Sequence, residues 1–322
     1  MTEPVLRDVL IPHAAYRNAT QALEKAFAEA QSGPDTILVP LFGPSGSGKS
    51  TIVESCECAH PSYRDDYGLK VPVVRMKVPS RPTVKGLVTE LLYALEDPLY
   101  DKGTEQSMLI RLRRLLKAAA VRMVVLDEFQ HFVDKASYQV MHHVADTLKV
   151  IADETRVVLV VVGLERSMAV IEQNEQLARR CIKQIMLPYF DWASTQLRQE
   201  FRSILRAVDK KLEYLDAVKL SDEKIAFRIF CATGGVISNV MRLLRTAEAY
   251  ALDSPTRQLD LACLASAYED VIYRSSRAVD DPFDPAVNLS ASAELLSRVA
   301  EMVRHGADPT GLSPRQAEWR AA

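Results

Sequence analysis

Gly43-Pro44-Ser45-Gly46-Ser47-Gly48-Lys49-Ser50 fits the pattern G-x-x-x-x-G-K-[ST], with Thr51 following. Each residue type has a chemical reason to be there. Glycines let the backbone turn sharply so that successive N–H groups converge on phosphate oxygens, and a helix beginning at Lys49 adds the partial positive charge of its N-terminus. The Lys49 ammonium would reach the β- and γ-phosphates, and the Ser50 hydroxyl would ligate Mg2+. Thr51 is the less suited of the two hydroxyls. The chemistry indicated is the binding of ATP with Mg2+.

Val124-Val125-Leu126-Asp127-Glu128 is an apolar run ending in two carboxylates. Neighbouring residues at a strand end project differently, so Asp127 suits the Mg2+ shell while Glu128 polarises a water for attack on the γ-phosphate. A P-loop kinase acting on a small molecule needs no such base. Glu128 therefore favours hydrolysis of ATP over phosphoryl transfer. Cys56, Cys58 and His60 are another close set, but one histidine after C-x-C offers too few ligands for structural zinc, and core packing is the better account. The five cysteines are odd in number and lack framework spacing, as suits reduced, packed thiols.

These residues need elements to hold them. Thr36–Phe42 reads as a buried strand running into the glycine-rich loop, and Lys49–Ala59 as the helix leaving it. Pro40 lacks a ladder donor, so a distortion is expected within that strand. Further strands are predicted at Val71–Val78, Val121–Leu126, Arg156–Val162 and Cys181–Leu187, separated by helices at Thr83–Leu95, Gln106–Ala119, Ala136–Asp153 and Glu165–Ala178. This alternation implies an α/β fold, a five-stranded parallel sheet with helices on both faces. An opening helix spans Ala14–Ala30. After Pro188 only helical periodicity remains, broken at Thr233-Gly234-Gly235, which implies a small helical second domain. Asp280-Asp281-Pro282-Phe283-Asp284-Pro285 reads as an extended linker, followed by a helix near Ala291–Val303 and a polar tail expected to be mobile. The organisation expected is 1–35 linker and helix, 36–188 nucleotide-binding core, 189–278 helical lid, and 279–322 C-terminal linker and tail.

The 322 residues are 48% hydrophobic and 25% charged, with a formal net charge of -2. No apolar run is long enough for a membrane span, and none is expected. The first residues lack the basic, apolar and small-residue succession of a secretory signal, so a cytoplasmic location is expected. With so little net charge, contact with nucleic acid would need a local basic patch. Lys102, Arg111, Arg113, Arg114, Lys117 and Arg122, against Asp101 and Glu105, form the best one. Without interleaved aromatics it suits the backbone of a duplex better than unpaired bases.

The loop Gly43–Thr51, the run Asp127-Glu128-Phe129-Gln130-His131, the five strands and the helical lid together resemble an AAA+ ATPase. The closer resemblance is to the TniB/TnsC family of transposition regulators. It implies a sheet of order 5-1-4-3-2, counting the five core strands, with nucleotide at subunit junctions and an arginine from the neighbouring subunit completing each site. Arg179 and Arg180 stand at that position. The resemblance also implies a second sensor on the helix after Gly235, for which Arg242 is the candidate, and adenine contact by Ile11-Pro12-His13. Leu164 stands where the family has a small polar sensor, and its side chain cannot hydrogen-bond. Arg81 and Lys85 stand where the family lines a DNA channel.

The function this implies is an ATP-dependent regulator that assembles as a ring or helical filament on double-stranded DNA. It would recruit or activate a transposase, with or without a target-selection adaptor, and come apart on hydrolysis. The rival is an AAA+ signalling or secretion ATPase that acts on protein partners without DNA. The residues of the core permit both.

Overall fold

The computed structural model describes residues 4–30, 37–181, 184–272 and 277–307. These described residues fall into two compact units, one within Ala15–Pro44 and Gly48–Leu187, the other within Met1–Ala14, Ser45–Ser47 and Pro188–Ala322.

In the α/β unit the order is α1 (Ala14–Glu29), β1 (Leu38–Phe42), α2 (Lys49–Ala59), β2 (Tyr63–Asp65), β3 (Gly68–Lys70), β4 (Val73–Lys77), α3 (Val84–Ala94) and α4 (Glu105–Ala118). Then come β5 (Met123–Asp127), α5 (His131–Lys135), α6 (Tyr138–Thr155), β6 (Val158–Gly163), α7 (Met168–Ile171), α8 (Glu175–Ala178) and β7 (Ile185–Met186). The strands β4-β5-β6-β1-β7 form one parallel sheet, which is 5-1-4-3-2 when only the core strands are counted. β1, β5 and β6 are buried throughout, because helices cover both faces, and this is why they read as unbroken apolar runs. Val39, Leu41, Val125 and Val160 pack with Leu23, Phe27, Ile52 and Val53. On the opposite face Val124, Leu126, Leu159 and Val161 pack with Leu87, Leu112 and Leu148.

Pro40 leaves the ladder to β6 intact from Leu38↔Leu159 to Phe42↔Gly163. The Leu38 N–H bonds the Arg180 carbonyl, so Pro40, two residues on, lacks its N–H on the same edge. Pairing on that edge is discontinuous, with a bridge from Leu38 to Cys181 and then pairs from Leu41 and Phe42 to Ile185 and Met186. The helix expected over Glu165–Ala178 is broken in two, because the Asn174 side chain accepts the Leu177 N–H at 2.9 Å and caps a new helix there.

In the helical unit a 3-10 turn at Val5–Asp8 precedes α9 (Thr195–Lys211), β8 (Asp216–Ala217), α10 (Glu223–Thr233), α11 (Ile237–Asp253), β9 (Gln258–Leu259), α12 (Leu261–Val271) and α13 (Ala293–Ala307). Trp192 lies at its aromatic centre, 4.9 Å from Phe227 and 5.5 Å from Phe230 between ring centroids. The stretch expected as an extended linker is instead packed. Arg228 donates to the carbonyls of Pro282, Asp284 and Val287 at 2.6, 3.0 and 2.9 Å, and Phe283 is buried against Tyr268. A proline-rich stretch cannot pair its carbonyls as a helix does, and one guanidinium serves three of them. α13 adds Leu295 and Val299 to the same core. The expected mobile tail beyond it lies outside the described residues. Among the described residues no single helix is long and apolar enough to cross a membrane.

Glu248 on α11 is fully buried. Its carboxylate accepts the Val5 N–H at 2.7 Å, the Leu6 N–H at 2.9 Å and the Tyr214 hydroxyl. Arg245 Nε donates to the Leu6 carbonyl at 2.8 Å. Burial, reinforced by Glu248, pushes the Tyr214 hydroxyl up to about 12. Glu248→Ala would strand these donors, and a stability loss of about 2–4 kcal/mol is expected in chemical denaturation, with Glu248→Gln falling between it and the parent.

Candidate active site

β1 runs into the loop, and Gly48, at φ 93°, turns the chain into α2, a backbone that a residue with a Cβ adopts only under strain. Lys49 Nζ donates to the carbonyls of Gly43 and Pro44 at 2.8 and 2.7 Å. Burial lowers its pKa, against the opposing pull of Glu128 and Asp127. A half-buried ammonium held by neutral carbonyls fits an anionic ligand that would take their place. In the same loop the Ser47 hydroxyl is buried and has no hydrogen-bond partner among the described residues.

Asp127 ends β5 with 1% of its surface exposed. Ser50 Oγ donates to its Oδ2 at 3.1 Å, so the hydroxyl and carboxylate expected to hold Mg2+ are together. Glu128 then takes φ 58°, a left-handed backbone that is costly for a non-glycine residue and recurs at functional sites. The turn is held by the Glu128 N–H to Asp127 Oδ1 and the Phe129 N–H to the Val162 carbonyl, both 2.9 Å.

Two residues join this site that the sequence reading did not assign to it. Gln130 Nε2 donates to Glu128 Oε2, while its Oε1 accepts the Leu164 N–H at 3.3 Å. Gly163 makes the room, since a Cβ there would lie 2.6 Å from Gln130 Oε1. Leu164 thus reaches Glu128 through its backbone and Gln130. The signal was the glutamine of Asp127-Glu128-Phe129-Gln130-His131, read only as part of a resemblance. Arg75, in the middle of β4, sends Nη2 to Asp127 Oδ2 at 2.8 Å and Nη1 to Glu54 at 3.1 Å. Burial works against its charge, but Asp127 and Glu54 outweigh burial and leave its pKa raised. One charged residue inside Val73-Val74-Arg75-Met76 was the signal.

The other candidates are dispersed. Arg179 follows α8 with its side chain 72% exposed and paired with Glu175, whereas Arg180, 22% exposed, is tied to Asp153. Arg242 is exposed on α11. His13 lies edge-on to Phe190, with its Nδ1 3.5 Å from Glu200. Arg81, Lys85 and Lys102 are exposed, but Arg111 bonds Asp97 and the carbonyls of Leu99 and Lys102, holding the loop before α4 together.

All five cysteines are free. Cys58 is exposed rather than packed, because two residues along a helix turn it about 200° from Cys56. Glu24 supplies the third ligand atom beside Cys56 and His60, all within 4.8 Å. Burial and then Glu24 push the Cys56 thiol up to about 12, which favours the protonated form over the thiolate that binds metal.

The family described as Bacterial TniB protein matches residues 3–192. The chain belongs to the TniB family. The TniB match takes in the glycine-rich loop, Asp127, Glu128, Gln130 and the arginine pair, and it ends at Trp192, before α9. No curated protein matches the chain. Among solved structures, the ORC2 protein of Aeropyrum pernix is 16% identical, with a TM-score of 0.60 over 84% of this chain and 72% of that one. Cdc6p from Pyrobaculum aerophilum is 15% identical, with a TM-score of 0.60 over 85% and 72%. Drosophila ORC, in a structure bound to DNA, is 11% identical, with a TM-score of 0.52 over 98% and 80%. These likenesses establish the AAA+ fold of this TniB-family chain.

Gln130→Leu removes the link to Glu128 while filling similar space. ATP turnover is expected to fall about 10- to 100-fold, part of what a positioned base contributes, while binding of a fluorescent nucleotide stays within about twofold. Unchanged turnover would exclude this role.

Proposed function

We propose that this TniB-family protein hydrolyses ATP and regulates DNA transposition in the cytoplasm. It assembles on double-stranded DNA as a homo-oligomer and recruits or activates a transposase, with or without an adaptor, and hydrolysis drives disassembly. The observation that carries the ATPase reading is the meeting of Ser50 and Asp127 at 3.1 Å, with Lys49 beside one and Glu128 beside the other. Bound Mg2+, held by Ser50 and Asp127, would neutralise phosphate charge. Lys49 would turn from the Gly43 and Pro44 carbonyls to the phosphates. Glu128, steadied by Gln130, would take the proton of the attacking water. The regulatory reading rests on TniB membership, and exposed Arg81, Lys85 and Lys102 support a duplex backbone as the surface tracked.

The exposure of Arg179 supports it, rather than Arg180, as the arginine that completes a neighbour's site. Arg179→Ala is expected to lower hydrolysis by about 10³-fold, the lower end of what such arginines supply, without unfolding the chain. Arg180→Ala is expected to act through lost stability, which thermal melting would detect. Activity per subunit that is independent of dilution would contradict completion between subunits.

Glu128→Gln should bind nucleotide and hold a long-lived complex with duplex DNA in a mobility-shift assay. Lys85→Glu or Lys102→Glu should weaken that complex, and rising salt should do the same. No shift at low salt with ATP would favour action on protein partners.

A further inference from the structure

One oxygen, Asp127 Oδ2, is approached by two groups. Ser50 Oγ lies 3.1 Å away and Arg75 Nη2 2.8 Å away. Arg75 is only 12% exposed on its side chain, and its Nη1 lies 3.1 Å from Glu54 and 4.0 Å from Glu57, both on α2. Its Nε is buried without a hydrogen-bond partner among the described residues. The guanidinium therefore stands between one buried carboxylate and two exposed ones.

A carboxylate as enclosed as Asp127 is costly without a counter-charge, and Arg75 supplies it. A divalent cation held by Ser50 and Asp127 would meet Arg75 at the same oxygen, where like charges oppose each other. Glu54 and Glu57 offer the guanidinium somewhere to go. We propose that Arg75 is a resident counter-cation of Asp127 that competes with the divalent metal, so that it sets the Mg2+ concentration at which the nucleotide site fills. Arg75 is thus a positioning residue for Asp127. This inference rests on Ser50 and Asp127 being the metal-holding pair.

The test uses the full chain and a fluorescent ADP analogue, titrating Mg2+ at fixed nucleotide, so that the readout is binding rather than turnover. Arg75→Met should lower the half-saturating Mg2+ about 5- to 10-fold, a modest share of a close charge interaction, while affinity without metal changes little. Arg75→Lys, which keeps the charge, should stay near the parent. Glu54→Gln should raise the half-saturating Mg2+ in the parent and do nothing further in an Arg75→Met background, as two residues acting through one contact require. Should Arg75→Met not fold, Arg75→Gln carries the same expectation. A half-saturating Mg2+ that is unchanged or raised on removing the arginine charge overturns the proposal. Asp127→Asn separates this from the underlying reading: if that variant keeps the parent's Mg2+ dependence, Asp127 is not a metal residue and the site assignment itself fails.

Discussion

The α/β unit is organised around a carboxylate kept out of water. Asp127 is tolerable at 1% exposure because three different elements bring it partners: Ser50 from α2, Arg75 from β4 and the backbone N–H of Glu128. The Arg75 partner is available only if the β4–β5 register is correct. Lys77 lies opposite Asp127 in the β4–β5 ladder, which puts Arg75 one same-face step back along its strand, within reach of that carboxylate. A slip of one residue would turn Arg75 to the other face. The sheet's apolar faces and this charged cluster thus specify the same alignment.

The strand ends beside Asp127 are tied to one another as well as to it. The Gly43 N–H bonds the Gly163 carbonyl, the Phe129 N–H the Val162 carbonyl, and the Val78 N–H the Asp127 carbonyl. His131 Nδ1 lies 2.9 Å from the Val78 carbonyl. Chemistry in open parallel sheets collects at these carboxyl ends. Here Gln130 and Leu164 extend that arrangement, so that the carboxylate of Glu128 is referenced to β6 and not only to its own strand.

The sequence could bring out Lys49, Ser50, Asp127 and Glu128 because the roles proposed for them call for particular residue types at fixed spacing after a strand. β1, β5 and β6 were legible because burial on both faces leaves apolar runs, whereas the strand expected over Cys181–Leu187 pairs, among the described residues, only at Cys181 and Ile185–Met186. Arg75 and Gln130 were not legible, because each works through a partner distant in sequence, and a lone arginine in a strand or glutamine in a loop carries no spacing of its own. Arg111 read as a surface cation because its partners, Asp97 and two carbonyls, become neighbours only when the loop folds back. Residues 280–285 read as linker for a similar reason. Their lack of regular structure was visible, but the guanidinium of Arg228 that packs them was not.

The clasp on Glu248 has a consequence in time. Its partners, the amides of Val5 and Leu6, are separated from it by 243 and 242 residues, and the whole α/β unit lies between them. At ribosomal rates of about 5–20 residues per second, those amides emerge roughly 10–50 s before their acceptor. The α/β unit has all its strands by Met186 and is free to fold during that interval. The helical unit, although it includes residues that precede the α/β unit in the chain, has to finish later. Its first turn stays open until α11 exists to close it.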